Sequence, residues 1–300
     1  MPNYYAHLIF GEQVLSQLPS PLRTRIQQET AAFQIGLLGP DPLLFYRPLV
    51  HNLPRSIGVS MHRHPVRPVA ERLRQAVADN LPYAESYAAG FLCHFALDSR
   101  CHQFIEEEMA RSGLSHSGME AELDRRLMLS DGIDPFHDTP LPSMQFHTAF
   151  YESITPVAYP GVMPRQFFRA LASFRRWCRL QTRVAGTRLS LFASWASERY
   201  PPLAPIRGAI LPREPATAYA QAVNALCALL EEEVAPTAEE LKRFFSPHSG
   251  RAALSGWYDR PFSGHQKSPQ PMGQAPSAPL VQIQALVIPI VPPKFPLLIK

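Results

Sequence analysis

A chain of 300 residues with 46% apolar and 18% charged residues can bury one sizeable core. Its formal net charge of +4 is slight and looks spread along the chain, with no run of Lys and Arg to mark an extended nucleic-acid surface. Cys93, Cys101, Cys178 and Cys227 form no CxxC pair. Cys93 and Cys101 would stand about 12 Å apart on one helix, too far to bridge, so reduced thiols and a cytoplasmic setting are expected. The amino-terminal MPNYYAHLIFGEQVL lacks the basic start of a signal peptide. The apolar stretch from Leu280 to Val291 is interrupted by Gln282, Gln284 and Pro289, and is too short to span a bilayer.

Helical spacing recurs from one end to the other, and strand-like alternation is almost absent, so the fold class is all-α. Leu8, Val14, Leu15 and Leu18 predict a first helix over His7–Leu18, and a second runs from Leu22 to Leu38, stopping at Gly39-Pro40. Six prolines between Pro40 and Pro68 read as an irregular segment. A long helix is expected from Pro82, with Asn80 as its cap, to Arg111 and Gly113. Another covers Ser115–Leu129, where Ser117 and Glu120 have the spacing of a capping box. Later helices are predicted at Met144–Ile154, Pro164–Glu198, Pro215–Glu233 and Thr237–Phe245. Nine prolines fall between Pro261 and Pro296, so residues 261–300 read as a Pro-rich disordered tail.

The chemistry concentrates in His94-Phe-Ala-Leu-Asp98-Ser-Arg-Cys-His102. Its three polar residues stand four apart and form one stripe on a helix otherwise rich in Phe91, Leu92, Phe95 and Leu97. Imidazoles and a carboxylate beside such residues are costly to bury unless something satisfies them, and zinc does so. His94 and His102 lie about 12 Å apart along the axis, too far to share one ion. Asp98 between them can join His94 on one zinc, leaving His102 for another. Gly90, one turn earlier, would leave room for a metal or substrate. A second i,i+4 pair, His116 and Glu120, would complete with His102 a three-ligand site with an open fourth position. Asp41 projects from the Gly39-Pro40 turn, His62 and His64 occupy the irregular segment, and His7 lies on the first helix.

Taken in order, His7, Gly39-Pro40-Asp41, Gly58-Val-Ser-Met-His62, His94-x-x-x-Asp98, His102 and His116-x-x-x-Glu120 resemble the zinc-dependent phospholipase C family. That family is an all-helical, trinuclear zinc fold shared with fungal-type single-strand nucleases. The resemblance covers about residues 1–155, with 156–260 as a helical extension packed on that domain. It implies two or three zinc ions: Asp41, His62, His94 and Asp98 on the first, His102, His116 and Glu120 on the second, and a third near His7, towards which Asp98 bridges. His64 has no counterpart. In the secreted members a free amino terminus helps hold the third ion, whereas here removal of Met1 would leave the secondary amine of Pro2. The interval from Asp98 to His102 is also shorter than theirs.

The expected activity is hydrolysis of a phosphate ester, a phospholipase C-like phosphodiesterase in which zinc-bound hydroxide attacks in line and Asp41 is the general base. Phospholipid is the substrate that the family name suggests, with Tyr4, Tyr5, Phe45, Tyr46 and Phe150 as an apolar approach. A nuclease or nucleotidase on the same frame is one alternative, stacking bases on those aromatics. A phosphohydrolase built on the His137-Asp138 pair is another. A catalytically inactive helical protein that binds zinc is the non-enzymatic reading.

Overall fold

The computed structural model describes residues 4–48, 50–141, 148–200, 208–246 and 253–264. Among them the chain forms α-helices and short 3-10 turns with no strand, the all-α class that the spacing predicted. The helices are α1 (Tyr4–Ser16), α2 (Ser20–Gln28), α3 (Thr30–Gly36), α4 (Asp41–Leu44), α5 (Leu53–Arg63), α6 (Arg67–Ala78), α7 (Ala84–Ser112), α8 (His116–Ser130), α9 (Thr148–Ala158), α10 (Pro164–Val184), α11 (Arg188–Arg199) and α12 (Ala220–Phe244).

At the centre lies α7, 29 residues long, with α1, α2, α3, α6, α8, α9 and α12 packed against it. It closes where predicted, at Gly113, whose φ of 74° is the left-handed conformation that ends helices. Its tightest neighbour is α3. A Cβ on Gly90 would overlap the Phe33 carbonyl oxygen, and one on Gly36 the Tyr87 carbonyl oxygen. Gly90 therefore serves the helix crossing, and the expectation that it cleared space for a metal is corrected.

The segment Pro40–Pro68, expected to be irregular, carries two helices, α4 and α5, and the start of α6. Pro42, Pro54 and Pro68 each sit in the first turn of α4, α5 or α6, where a missing N–H costs nothing. Asn52 caps α5 by accepting from the Arg55 amide at 3.0 Å. His62 is thus a helical residue. The predicted second helix breaks at Glu29 into α2 and α3. At the start of α7 the residue before the first turn is Tyr83, in a left-handed conformation, and Asn80 makes no cap. The cap of α8 is Ser115, accepting from the Gly118 amide at 3.1 Å, so Ser117 falls inside the helix and the capping box predicted there does not form.

Beyond α9, the predicted helix Pro164–Glu198 divides at Gly186 (φ 69°) into α10 and α11. The two helices predicted around Pro236 are one, α12. Val234, Thr237, Ala238 and Leu241 are buried on both sides of the proline, and that packing outweighs the roughly 3 kcal/mol a helix-interior proline costs. The helix predicted at Met144–Ile154 is α9, and its predicted start at Met144 lies outside the described residues, as do residues 265–300. Pro261–Gly264, assigned to the tail by sequence, are instead packed in. Phe262 is fully buried, the Val66 amide donates to the Arg260 carbonyl at 3.2 Å, and the Ser263 amide donates to the His62 carbonyl at 3.3 Å. Arg67 ties the same segment down through Asp259 and the Leu254 and Ser255 carbonyls.

Candidate metal centre

Five helices deliver the histidines and acids named from sequence to one side of α7. From α7 itself come His94, Asp98 and His102, from α1 His7, from α4 Asp41, from α5 His62, and from α8 His116 and Glu120. Their donor atoms fall into three groups able to hold a metal: Asp41, His62 and His94; His7, His94 and Asp98; and His102, His116 and Glu120. Within each group the donors lie within 4.8 Å of one another. His94 Nε2 belongs to two groups, and Asp98 stands closest to His7 and His94.

Two of the rings are aimed by their other nitrogen. His94 Nδ1 donates to the Leu37 carbonyl at 3.1 Å and His62 Nδ1 to the Gly58 carbonyl at 2.7 Å, turning both Nε2 atoms towards carboxylates, that of His62 at 3.0 Å from Asp41 Oδ1. Around Asp98 the imidazoles converge: His7 Nε2 is 3.3 Å from Oδ1, His94 Nε2 3.2 Å from Oδ2, and His102 Nε2 3.7 Å from Oδ1. Glu120 Oε1 lies 3.0 Å from His116 Nε2 and 3.7 Å from His102 Nε2.

These separations have a simple meaning. Two ligands at about 2.05 Å from one tetrahedral zinc are roughly 3.3 Å apart. The buried His7 and His94 nitrogens approach Asp98 at that spacing, yet their angles satisfy no hydrogen bond, and both nitrogens of His7 are without a hydrogen-bond partner. Buried imidazoles in that condition are expensive unless their lone pairs meet a cation. The two rings also stack, with centroids 4.2 Å apart, an arrangement hostile to two imidazolium charges. The donor set therefore fits zinc, and the fit rests on these orphaned nitrogens.

The electrostatics agree. Burial alone would raise Asp98, but the His94, His102 and His7 rings hold its carboxyl well below the usual range. Glu120 is held well below it too, against burial, chiefly by His116. Asp41 is likewise low, because bonding to His62 and the charges of His94 and His62 overcome burial. Burial and His94 push His7 down, towards the neutral form that binds metal. His102 is raised to about 9, since Asp98 and Glu120 outweigh burial.

Several supporting residues carry no signal in the sequence. Asp124 accepts from the Tyr5 and Ala6 amides at 3.3 and 2.9 Å, capping α1 from a distance and fixing the turn before His7. Tyr159, bonded to Tyr87, donates to the Gly39 carbonyl and holds the turn before Asp41. Phe262 lies against the rings of His62 and His94, with centroids 5.4 and 5.7 Å away. The Tyr219 hydroxyl meets Ser115 at 3.0 Å, bracing the start of α8.

Two expectations are corrected. Tyr4, Tyr5, Tyr46 and Phe150 are buried, and Phe45 packs on Phe174 and Trp177, so these five are core rather than a substrate approach. His137 is 82% exposed, pairs with Asp134 and joins no donor group among the described residues, which disfavours the His137-Asp138 alternative.

An all-helical protein with buried His, Asp and Glu groups spaced for divalent metal is the class that fold and site define. The zinc-dependent phospholipase C family matches residues 6–156, just over half of the chain, and the chain belongs to that family. No curated protein and no solved structure matches it. No described helix is long and apolar enough to cross a membrane.

Proposed function

We propose that this chain is a zinc-dependent hydrolase of phosphate esters, acting as a phospholipase C-like phosphodiesterase on a phospholipid headgroup. The observation that carries the reading is the set of buried imidazoles whose nitrogens face carboxylates at ligand spacing without hydrogen-bonding them. Asp41, His62, His94 and Asp98 are assigned to one zinc and His102, His116 and Glu120 to a second. His7 with Asp98 is assigned to a third.

Zinc bound there would supply positive charge for the phosphate and lower the pKa of water towards neutrality. The chain's own groups do the rest. Asp41, one-fifth exposed, holds His62 Nε2 through Oδ1 at 3.0 Å, which leaves Oδ2 to orient the attacking water and accept its proton. Its low pKa keeps it ionised at neutral pH. Asp98, reached by three imidazoles, holds the donor groups in fixed relation. The partly exposed His116 and His102 line the side open to substrate.

Four free cysteines support a reducing, cytoplasmic compartment. Because the five aromatic residues are core, they support neither an apolar approach for phospholipid nor base stacking, and the phospholipid reading is supported by the family match instead. The test is a panel of phosphatidylcholine, a water-soluble p-nitrophenyl phosphodiester and single-stranded DNA, run on zinc-loaded protein. Hydrolysis of the first two that is abolished in Asp41→Asn supports the reading. Cleavage of DNA alone would move the chain to the nuclease class, and no turnover with full zinc would leave a zinc-binding helical protein.

A further inference from the structure

The segment after the family match carries a feature that the metal centre does not use. Between Pro164 and Arg199 stand eight arginines and one glutamate, a net of +7 in a chain whose whole net charge is +4. Counted by segment, the charge is therefore not spread evenly: α10 and α11 are strongly basic and the remainder is net acidic. Arg165, Arg169, Arg176, Arg179, Arg183, Arg188 and Arg199 are all exposed, and none pairs with a carboxylate among the described residues.

Helix α11 is also inside out. It turns its small residues inward, with Ser190, Ala196 and Ser197 buried, and its large apolar residues outward. Leu189, Leu191, Phe192 and Trp195 are 55%, 63%, 59% and 53% exposed, and Tyr200 beyond its end is 52% exposed. Arg188, Leu191, Phe192, Trp195 and Arg199 recur at helical spacing, an apolar stripe with a guanidinium at each end. Phe168 and Leu180 of α10 are half exposed as well. Soluble surfaces seldom leave such residues grouped without an occupant.

We infer that α10 and α11 form a docking surface for anionic phospholipid bilayers, with the α11 stripe entering the headgroup–acyl boundary and the arginines binding lipid phosphates. Charge complementarity selects this occupant. A second copy would bring the same uncompensated arginines against this face, which repels. Phe192 and Trp195 could stack on bases, but the equally exposed Leu189 and Leu191 could not, and leucine, phenylalanine and tryptophan beside arginine are the composition of interfacial helices. The long arginine stems can lie along the apolar face with their heads in the phosphate layer. The position is useful too. Phe174 and Trp177 of α10 pack on Phe45, next to the helix that carries Asp41, so a docked bilayer would lie one helix from the proposed centre. Only that use rests on the phosphodiesterase reading, because binding is measured without turnover.

The experiment is co-sedimentation of the full chain, over a series of ionic strengths, with sucrose-loaded vesicles of phosphatidylcholine alone or with phosphatidylglycerol added. The expected result is partitioning to the anionic vesicles that weakens as salt rises. In the double variant Phe192→Ser, Trp195→Ser the partition coefficient should fall at least about tenfold. Arg188→Gln, Arg199→Gln should weaken binding and flatten its salt dependence. Turnover of the water-soluble p-nitrophenyl phosphodiester serves as a separate readout, expected to be unchanged in both variants. Binding without any turnover would sink the enzymatic reading and leave this one standing. Equal partitioning of wild type and variants, or no partitioning by the wild type, would overturn it. So would a vesicle-free dimer abolished by the Phe192, Trp195 variant, which would assign the face to a second copy.

Discussion

Substitution of Gly39 by alanine perturbs the centre without touching a ligand. Gly39 has φ +51°, a conformation that costs an L-residue about 1–2 kcal/mol. A Cβ there would overlap His94 Cδ2 and stand 2.6 Å from His94 Cγ. Comfortable carbon contacts are about 3.5–4.0 Å, so the ring must retreat by at least about 1.4 Å. It has little room, being stacked on His7 at 4.2 Å and flanked by Phe262. Zinc–nitrogen bonds tolerate about 0.2 Å, and His94 belongs to two of the three donor groups. Gly39→Ala should therefore fall to about one zinc per chain, retained at His102, His116 and Glu120, and lose phosphodiesterase activity. Its melting temperature with chelator present should drop by only a few degrees. Zinc measured by mass spectrometry after dialysis, beside calorimetry, decides it. A variant with wild-type metal content would refute the claim that His94 ligates from this position.

Metal uptake at His102 should depend on pH. Its pKa, about 9 in the metal-free fold, means zinc must displace a proton, so affinity should rise with pH and level off near 9, as titration calorimetry in buffers of differing ionisation heat would reveal. The same raised pKa stabilises the metal-free fold fully below about 6.5, and that contribution should vanish as pH rises through 9 in chelator-treated melts. Asp124→Ala strips two buried amides of their acceptor and should cost about 1–3 kcal/mol, with occupancy at His7 falling before the other sites. Asp124→Asn, which keeps one acceptor oxygen, should recover part of both. Phe262→Ala should cost about 3–5 kcal/mol in denaturant melts and loosen zinc at His62 and His94; an effect below about 1 kcal/mol would contradict its packed position.

Much of the site was legible because it is local. His94, Asp98 and His102 share one helix face and His116 and Glu120 another, and the i,i+4 spacing states both facts in one dimension. The partners from other helices were legible only through the resemblance, since nothing in the spacing of His7, Asp41 or His62 says which helix crossing brings them in. Proline misled in both directions. Pro42, Pro54 and Pro68 begin helices and looked like breakers, while Pro236 sits inside a helix that tertiary packing holds together. Asp124, Tyr159 and Phe262 act on neighbours far along the chain, and a single sequence marks no such contact. Phe262 was further hidden by the proline-rich composition that follows it.

The central claim is that zinc binds where the histidines and acids converge, and anomalous scattering from crystals of zinc-loaded protein at the zinc edge tests it most directly. The account predicts one peak between His102, His116 and Glu120 and another among Asp41, His62, His94 and Asp98, with a third beside His7 where that site fills. Fewer than two peaks at these positions in zinc-saturated crystals would contradict it.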